Sequence, residues 1–351
     1  MNDLNIKKEP YILHVYPESQ IKNFKHSGGS KGIKIFNDFL KNSRVNYDNC
    51  IIDRKSDLLL LSKLRAINLN IYSHILIHYP MFPLSVLYLR IFYPKLKIVT
   101  RSHNAEFPHW LQHSYLEFKN FKFKESLKFF FTAIRNGFGE LIMALFARHI
   151  LAITEWETNS YWKKLAFSKT LYTPYYLSDA IKAQDCKIKE NQCICLMSPN
   201  YSSFLHDAAK NFYKLVSSAH SSLDWNFVIT GEDLNLNNVS DVPIKKLGFV
   251  DDISSLYIKS KSIAVLTRYG YGFKTKILEA AAYGCWSLVP SKNYSRIPNN
   301  VKPFCISVDL DSPMSFKEAL KLSETKLPDF CLQNDELKSQ FYESLKTSLL
   351  K

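Results

Sequence analysis

Residues 262–284 read SIAVLTRYGYGFKTKILEAAAYG and contain the strongest structural signal in the sequence. An apolar strand, SIAVL, is followed by a loop that contains Gly270 and Gly272, and then by a helical segment that Gly284 can end. A strand, a glycine loop and a helix N-terminus in this order present backbone N–H groups and the positive end of the helix dipole to an anion. The segment therefore predicts a phosphate-binding turn in an α/β protein.

Charged side chains frame the same loop. Arg268, Lys274 and Lys276 would repel one another without an anion, and a diphosphate is the simplest anion that balances them. Glu279 lies about one turn into the helix, where its carboxylate can accept hydrogen bonds from vicinal hydroxyls such as those of a ribose. The alternative is an ordinary α/β turn with surface lysines. The register of the three cations with Glu279 favours a nucleotide.

The composition is that of a folded protein with an anionic partner. The chain has 351 residues, enough for two domains, and 46% of them are apolar. This excludes a disordered chain, a collagen-like repeat and a small disulfide scaffold. Lysine and arginine exceed aspartate and glutamate by 46 to 32, a net charge of +14 that indicates a nucleotide, nucleic acid, phospholipid or phosphorylated acceptor as partner. The seven cysteines form no CxxC pair, so we expect reduced and mainly buried thiols.

Short apolar runs alternate with longer amphipathic stretches along the chain, which is typical of α/β proteins with parallel sheets. The polar segment 178–192 carries no strand signal and divides the chain into domains 1–180 and 193–334. Residues 335–351 predict a C-terminal helix with one apolar stripe. The predicted strands are 11–16, 49–53, 74–78, 97–101, 150–154, 193–197, 225–230, 244–247, 262–266, 286–290 and 304–307.

Residues 268–280 resemble the R-x-G-x-G-x-[RK]-x-K-[IV]-L-E-A motif of GT-B glycosyltransferases, in particular family 4-like enzymes that use nucleotide sugars. The resemblance implies two Rossmann-like domains that face a cleft, with the C-terminal helix crossing back to the first domain. Many relatives carry a glutamate eight positions before the one that matches Glu279, where it contacts hydroxyls of the donor sugar. Tyr271 stands at that position here, so we expect donor-sugar recognition that is different or weaker, or lost activity.

Three further segments are similar to family motifs. Gly248 and Phe249 resemble the loop that holds the nucleotide base, and Gly28 and Gly29 resemble the glycine-rich N-terminal loop that faces the donor phosphates and the acceptor. His103, with Asn104 in an H-N-x-E pattern, matches a histidine that points toward the donor sugar in relatives. Each has a structural alternative: a strand-end turn, a flexible loop and a hydrogen-bonding core histidine. For Thr154 and Glu155, a helix N-cap is the favoured interpretation.

The resemblance implies transfer of a hexose-type sugar from a nucleoside diphosphate to a glycan or lipid-linked acceptor, with retention, in bacterial-type surface polysaccharide or lipopolysaccharide assembly. His103 would be the catalytic residue that orients the sugar, and no metal or other cofactor is expected, since Arg268, Lys274 and Lys276 supply the positive charge. We expect a cytoplasmic protein, peripheral at the inner face of the membrane. A non-catalytic scaffold that binds a nucleotide sugar stays open because of Tyr271. A nucleic-acid-binding protein is favoured only by the charge, and no nucleic-acid partner is expected.

Residues 118–135 are the densest basic and aromatic segment of the chain. Helical spacing places Leu127, Phe130, Phe131 and Ile134 on one face. Another face carries Lys124, Lys128 and Arg135. Such a helix can lie on an anionic membrane, where lipid-linked acceptors are found, or it can pack in the core with a solvated basic side.

Overall fold

The computed structural model describes residues 10–19, 28–53, 55–178, 189–197, 203–219, 221, 224–231 and 242–351. These form two compact units. The N-terminal unit comprises residues 1–110, 131–175 and 338–351, and the C-terminal unit comprises 111–130 and 176–337. The segment 111–130 therefore groups with the C-terminal unit, whereas the division made from the sequence, at 1–180, 193–334 and 335–351, leaves it in the first domain.

The N-terminal unit is built on a six-stranded sheet in the order β2-β1-β3-β4-β5-β6, in which every neighbouring pair is parallel. Its strands are β1 (Tyr11–Pro17), β2 (Asn46–Ile52), β3 (His74–His78), β4 (Lys97–Arg101), β5 (His149–Ala152) and β6 (Thr170–Tyr172). Its connections contain α1 (Gly28–Asn42), α2 (Asp57–Ala66), α3 (Pro83–Phe92), α4 (Glu106–Lys119), α5 (Phe123–Phe146) and α6 (Lys163–Ala166), with 3₁₀ turns at Leu69–Ile71 and Phe167–Lys169 and a π turn at Glu157–Trp162.

The C-terminal unit repeats this plan with the order β12-β11-β10-β7-β8-β9, again parallel throughout. Its strands are β7 (Glu190–Cys195), β8 (Asn226–Ile229), β9 (Ile244–Lys246), β10 (Ser260–Ala264), β11 (Trp286–Pro290) and β12 (Cys305–Val308). Its helices are α7 (Ser203–Ala219), α8 (Ser254–Lys259), α9 (Lys276–Ala282), α10 (Ser291–Tyr294) and α11 (Pro313–Leu322), with a 3₁₀ turn at Lys302–Phe304. The last helix, α12 (Cys331–Leu345), begins in this unit; from residue 338 onward it groups with the N-terminal unit, as does the π turn Lys346–Leu350 that follows it.

Two parallel sheets flanked by helices confirm the predicted α/β class. Eleven of the twelve observed strands match predicted strands, three of them with the same bounds: 74–78, 97–101 and 286–290. The sequence analysis missed β6, whose three residues Thr170–Tyr172 are all only half-buried at the edge of the sheet. A short edge strand lacks the continuous apolar run that marks strands covered on both faces.

The end of the chain completes the core of the N-terminal unit. Phe341 is fully buried, with its ring edge-on to Phe36 at 5.0 Å and to Phe39 at 6.4 Å. Leu345 and Leu349 are fully buried as well, so the apolar stripe of the predicted C-terminal helix is the side that packs. The return of the C-terminal helix to the first domain is therefore confirmed.

Truncating Phe341 tests this packing. Phe341→Ala should lower the free energy of unfolding by about 3–5 kcal/mol, because a buried aromatic ring is replaced by a cavity. Leu332→Ala is the matched control on α12, since Leu332 is 72% exposed and should change stability by less than about 0.5 kcal/mol. Urea denaturation of the full chain measures both. Equal effects of the two substitutions would contradict the assignment of the C-terminal helix to the core.

Candidate functional site

Each sheet has one point where its connections reverse direction. This point lies between β1 and β3 in the N-terminal unit and between β7 and β10 in the C-terminal unit. Ligands of parallel α/β sheets bind beyond the carboxyl ends of the strands at such points, because the loops there diverge and leave a crevice. Two predicted site segments follow strands at or next to these points. The glycine loop follows β10, and His103 follows β4, which is the neighbour of β3.

The glycine loop of the C-terminal unit has the backbone that its sequence predicts. Gly270 has φ +93° and Gly272 has φ +87°, in the left-handed region that favours glycine. A Cβ at Gly270 would also lie 3.1 Å from the Phe204 ring. The Gly270 N–H donates a hydrogen bond to Gln112 Oε1 at 2.7 Å. Gln112 was not predicted as a site residue. Its side-chain oxygen accepts from a backbone N–H that was expected to face an anion.

The three predicted cations differ in their surroundings. Lys276 Nζ donates to the Leu196 carbonyl at 2.8 Å, at the end of β7, so this lysine lies at the reversal point of the sheet. Burial lowers the pKa of Lys276. Arg268 forms a bidentate pair with Asp311, with N···O distances of 2.7 and 3.0 Å. The guanidinium is thus already bound to a carboxylate. Its hydrogen bond lowers the pKa of Asp311.

The helix that follows the loop is short. α9 has seven residues, and its first amides are already used: Ile277 N–H donates to the Lys274 carbonyl at 2.9 Å and Leu278 N–H to the Thr275 carbonyl at 3.0 Å. The helix N-terminus therefore contributes less to anion binding than the sequence suggests, and the side-chain cations contribute more. Glu279 lies in this helix and accepts a hydrogen bond from the Tyr257 hydroxyl at 3.4 Å.

A pocket opens beside the glycine loop and brings in residues that the sequence analysis missed. The Arg296 guanidinium lies 4.2 Å from the centre of the Tyr271 ring, and its Nη1 is 3.5 Å from the Gly270 carbonyl oxygen. Lys274 and Arg296 give the pocket two cations, and no carboxylate is among the described residues that line it. The lining residues are Val265, Thr267, Gly270, Gly272, Phe273, Lys274, Ile277, Val289, Pro290, Asn293, Arg296 and Ile297.

The predicted base-binding loop lies after β9. The Gly248 carbonyl accepts a hydrogen bond from the Gly231 N–H at 2.7 Å, which ties the ends of β8 and β9 together. The Phe249 side chain is 61% exposed. An exposed aromatic ring on a fixed turn has the shape needed to stack on a base.

His103 belongs to a chain of buried hydrogen bonds in the N-terminal unit, which we call the histidine chain: His14, His78, His103 and Tyr175. The distances are 2.8 Å from His14 Nε2 to His78 Nε2, 3.0 Å from His78 Nδ1 to His103 Nε2, and 2.8 Å from His103 Nδ1 to the Tyr175 hydroxyl. His14 Nδ1 lies 3.1 Å from Asn37 Oδ1. Burial lowers the pKa of His14 to about 4 and those of His78 and His103 well below the usual value, so all three rings are neutral.

The sequence analysis found His103 but not its partners. His14 and His78 lie within apolar strands, where an isolated buried histidine is the only sequence signal. Tyr175 follows β6, the strand that was missed. Across the described parts of the chain, no group of three or more His, Cys, Asp or Glu side chains is arranged to hold a metal ion.

The helix that begins with the predicted N-terminal glycines approaches the histidine chain. α1 begins at Gly28 and includes Gly29, while Ser27 lies outside the described residues. Further along α1, a Cβ at Gly32 would lie 2.9 Å from the Tyr175 hydroxyl oxygen and 3.1 Å from His103 Cε1. Glycine at residue 32 therefore allows the backbone of α1 to approach His103 closely.

Two buried carboxylates hold the segment after His103. Glu140 accepts from the Glu106 N–H at 2.7 Å and the Phe107 N–H at 3.1 Å, which caps the start of α4. Glu157 accepts from the Ala105 N–H at 3.1 Å. Thr154 Oγ1 accepts from the Glu157 N–H at 3.0 Å, which confirms the predicted N-cap. Asn104 donates to Glu106 at 3.4 Å. These bonds fix the backbone that follows Asn104.

Comparisons with known proteins identify the fold. The chain is similar to sucrose-phosphate synthase from Thermosynechococcus elongatus, with a TM-score of 0.61 and 10% identity over 97% of this chain and 95% of that one. A glycosyltransferase from Rickettsia africae has a TM-score of 0.54 and 14% identity over 97% and 94% of the two chains. HepE of Anabaena, solved in complex with UDP, has a TM-score of 0.55 and 10% identity over 97% and 96%. The chain thus has the α/β fold of GT-B glycosyltransferases. No protein-family model matches the sequence, and no curated protein matches it either.

The neutral histidines predict a pH-dependent stability. The pKa of His14 is about 4 in the folded protein and 6.5 in an unfolded chain, so unfolding takes up a proton and stability falls as pH drops from 6.5 to about 4. Relative to His14→Gln, the wild type should lose roughly 1.4 kcal/mol of unfolding free energy per pH unit in this window.

Urea denaturation across the window measures the difference between the two proteins. Burial raises the pKa of Glu140 to about 8 and that of Glu157 to about 7; both titrate in either protein and cancel in the difference. Parallel stability curves would show that His14 is not buried as a neutral ring.

Proposed function

We propose that the protein is a glycosyltransferase that transfers a sugar from a nucleoside diphosphate to an acceptor hydroxyl. The observation that carries the proposal is the glycine loop of the C-terminal unit, which joins two left-handed glycines to Lys274 and Arg296 beside a pocket. Two cations line this pocket, and positive charge beside a left-handed glycine loop favours an anionic ligand. The fold is that of glycosyltransferases, and HepE of Anabaena has been solved with UDP and with UDP-glucose. A uridine diphosphate sugar is therefore the donor that we propose to test first.

Each donor part has a partner in this proposal. Lys274 and Lys276 bind the diphosphate, the Glu279 carboxylate accepts from the ribose hydroxyls, and Phe249 stacks on the base. Arg296 is added to the predicted set because it lines the same pocket. Arg268 supports the loop indirectly, since its guanidinium is bound to Asp311.

The chemistry follows from the charge of the leaving group. Breaking the bond from the anomeric carbon to the phosphate oxygen leaves a nucleoside diphosphate, and its growing negative charge is stabilised by Lys274, Lys276 and Arg296 in place of a divalent ion. His103 orients the donor sugar. The family 4-like motif supports retention at the anomeric carbon, with the leaving phosphate accepting the proton of the acceptor hydroxyl.

One observation favours a second candidate. Tyr271 stands where relatives carry a glutamate, so a neutral ring with the Arg296 guanidinium against its face replaces a carboxylate. A non-catalytic protein that binds a nucleotide sugar would keep the cations and lose the carboxylate. Hydrolysis and transfer assays with bound donor distinguish the two candidates.

Lys274→Ala tests the diphosphate site. UDP binding should weaken by about 1.5–3 kcal/mol, roughly 10- to 150-fold in Kd, because one charge-assisted hydrogen bond is lost. Lys292→Ala is the matched control, since Lys292 is an exposed lysine of the neighbouring α10. Isothermal titration calorimetry measures both variants. Unchanged affinity in Lys274→Ala, or an equal loss in Lys292→Ala, would remove the loop from the binding site.

We propose an anionic membrane surface as the place where a glycan or lipid-linked acceptor is met. In the N-terminal unit, α5 exposes a continuous apolar stripe, each side chain 46–63% exposed: Phe131, Ile134, Phe138, Leu141 and Leu145. The spacing of three and four residues keeps these side chains on one face. Lys124, Lys128 and Arg135 add positive charge along the same helix. Both features favour an interfacial helix.

α5 is also, among the residues that the structure describes, the helix long and apolar enough to cross a membrane by length and composition. Its other side is buried in the unit through Ala133, Met143 and Ala144, and Glu140 caps α4. Because one face of α5 is packed against its own unit, we propose that the helix lies on a bilayer and does not span it. The proposal places the protein at the inner face of the membrane, where anionic lipids attract lysine and arginine.

Sedimentation with vesicles tests this surface. The wild type should bind vesicles that contain phosphatidylserine, and binding should fall with added salt and in the Lys124→Ala, Lys128→Ala double variant, since each lysine contributes roughly 1 kcal/mol near an anionic surface. Phe131→Ser with Phe138→Ser should abolish binding. Phe167→Ser is the control, as Phe167 is 76% exposed but lies off this helix. Equal binding to neutral and anionic vesicles would contradict the proposal.

A further inference from the structure

The histidine chain crosses the reversal point of the N-terminal sheet. His14 lies in β1, His78 ends β3 and His103 follows β4. These rings are at most 6% exposed, and both ring nitrogens of each lie within 3.1 Å of a polar atom. A buried network in which every polar atom has a partner is more than a set of core side chains, because removing one member changes what its neighbours can donate or accept.

The hydrogen bonds of the histidine chain all run in one direction, from donor to acceptor. A neutral imidazole has one N–H donor and one acceptor nitrogen, so each bond fixes the next one. At one end the Arg101 guanidinium, which can only donate, lies 5.1 Å from the centre of the Tyr175 ring. Asn37 Oδ1 at the other end of the histidine chain can only accept a hydrogen bond, and the bonds between the two ends then require the Tyr175 hydroxyl to donate to His103 Nδ1.

Starting from Tyr175, each bond then determines which nitrogen of the next histidine carries the proton. His103 carries its proton on Nε2 and donates to His78 Nδ1, and His78 donates from its own Nε2 to His14 Nε2. His14 must then carry its proton on Nδ1, from which it donates to Asn37 Oδ1. The amide oxygen of Asn37 accepts this last bond without a further proton, so the chain ends there.

We propose that His14 and His78 are positioning residues that act through His103. They hold His103 as a single neutral tautomer with the proton on Nε2, so that Nδ1 accepts a hydrogen bond from a hydroxyl group. The Tyr175 hydroxyl fills this role here, and a donor-sugar hydroxyl takes it over in the complex. Gly32 lies against the same edge of the ring, where a Cβ would be 3.1 Å from His103 Cε1. Only the assignment of the sugar as the second hydroxyl rests on the proposed function.

Nitrogen-15 NMR of the full chain with labelled histidine tests the tautomers directly. The wild type should show His103 and His78 protonated on Nε2 and His14 on Nδ1. His78→Phe should release His103 into a mixture of tautomers, whereas His78→Gln should preserve the wild-type state, because the amide offers one acceptor and one donor. His74→Phe is the matched control, since His74 is a buried histidine of the same strand that bonds to Ser73 and not to the chain.

Kinetics tests the consequence for transfer. His78→Phe should lower kcat about 10- to 100-fold with the donor KM nearly unchanged, and His78→Gln should restore most of the rate. His74→Phe should leave kcat and the His103 signals as in the wild type. If His78→Phe does not fold, His14→Phe compared with His14→Gln provides the same test from the other end of the histidine chain.

The outcomes separate this inference from the proposed function. A wild-type His103 that carries its proton on Nδ1, or His103 signals that do not change in His78→Phe, would overturn the positioning role. Failure of the wild type to bind UDP or to transfer sugar, with the tautomers as described, would overturn the proposed function and leave the direction of the chain established.

Discussion

Parallel strand pairing is the constraint on which the rest of this structure depends. Strands that run side by side in the same direction need a crossover between them, and the helices of these crossovers cover both faces of the sheet. Ligands can then reach each sheet only at the loops of the strand ends, and the reversal of strand order creates one crevice there in each sheet. Leu196 and Lys276 meet at this crevice in the C-terminal unit, and His14 and His78 meet at it in the N-terminal unit.

Burial decides what the two crevices can do. In the N-terminal unit the rings of the histidine chain are cut off from water and stay neutral, so they work by holding hydrogen bonds in one direction and not by carrying charge. In the C-terminal unit the charges persist because they have partners or solvent: Arg268 binds Asp311, while Lys274 and Arg296 line an open pocket. The proposed transfer reaction would use both: a neutral, rigid group to orient the sugar and cations to stabilise the diphosphate that leaves.

Sequence patterns predicted what depends on local chemistry. The bounds of strands 74–78 and 286–290 were predicted correctly because each strand is a short, mainly apolar run. Gly270 and Gly272 marked two positions where the backbone is left-handed. Contacts between distant segments were not predictable in this way. Gln112 reaches the Gly270 amide over 158 positions, and Tyr175 reaches His103 over 72, so neither leaves a signal in a local window. The pairing of Arg268 with Asp311 was missed for the same reason.

The proposed reaction depends on binding of a nucleoside diphosphate at the glycine loop of the C-terminal unit. Thermal unfolding of the wild type with UDP, ADP, GDP or TDP, and with inorganic phosphate as the reference, measures this binding. We expect one nucleoside diphosphate to raise Tm well above the value with phosphate, equivalent to about 2.7 kcal/mol of added stability at 100 times its Kd. No shift with any of the four, or the same shift with phosphate alone, would contradict it.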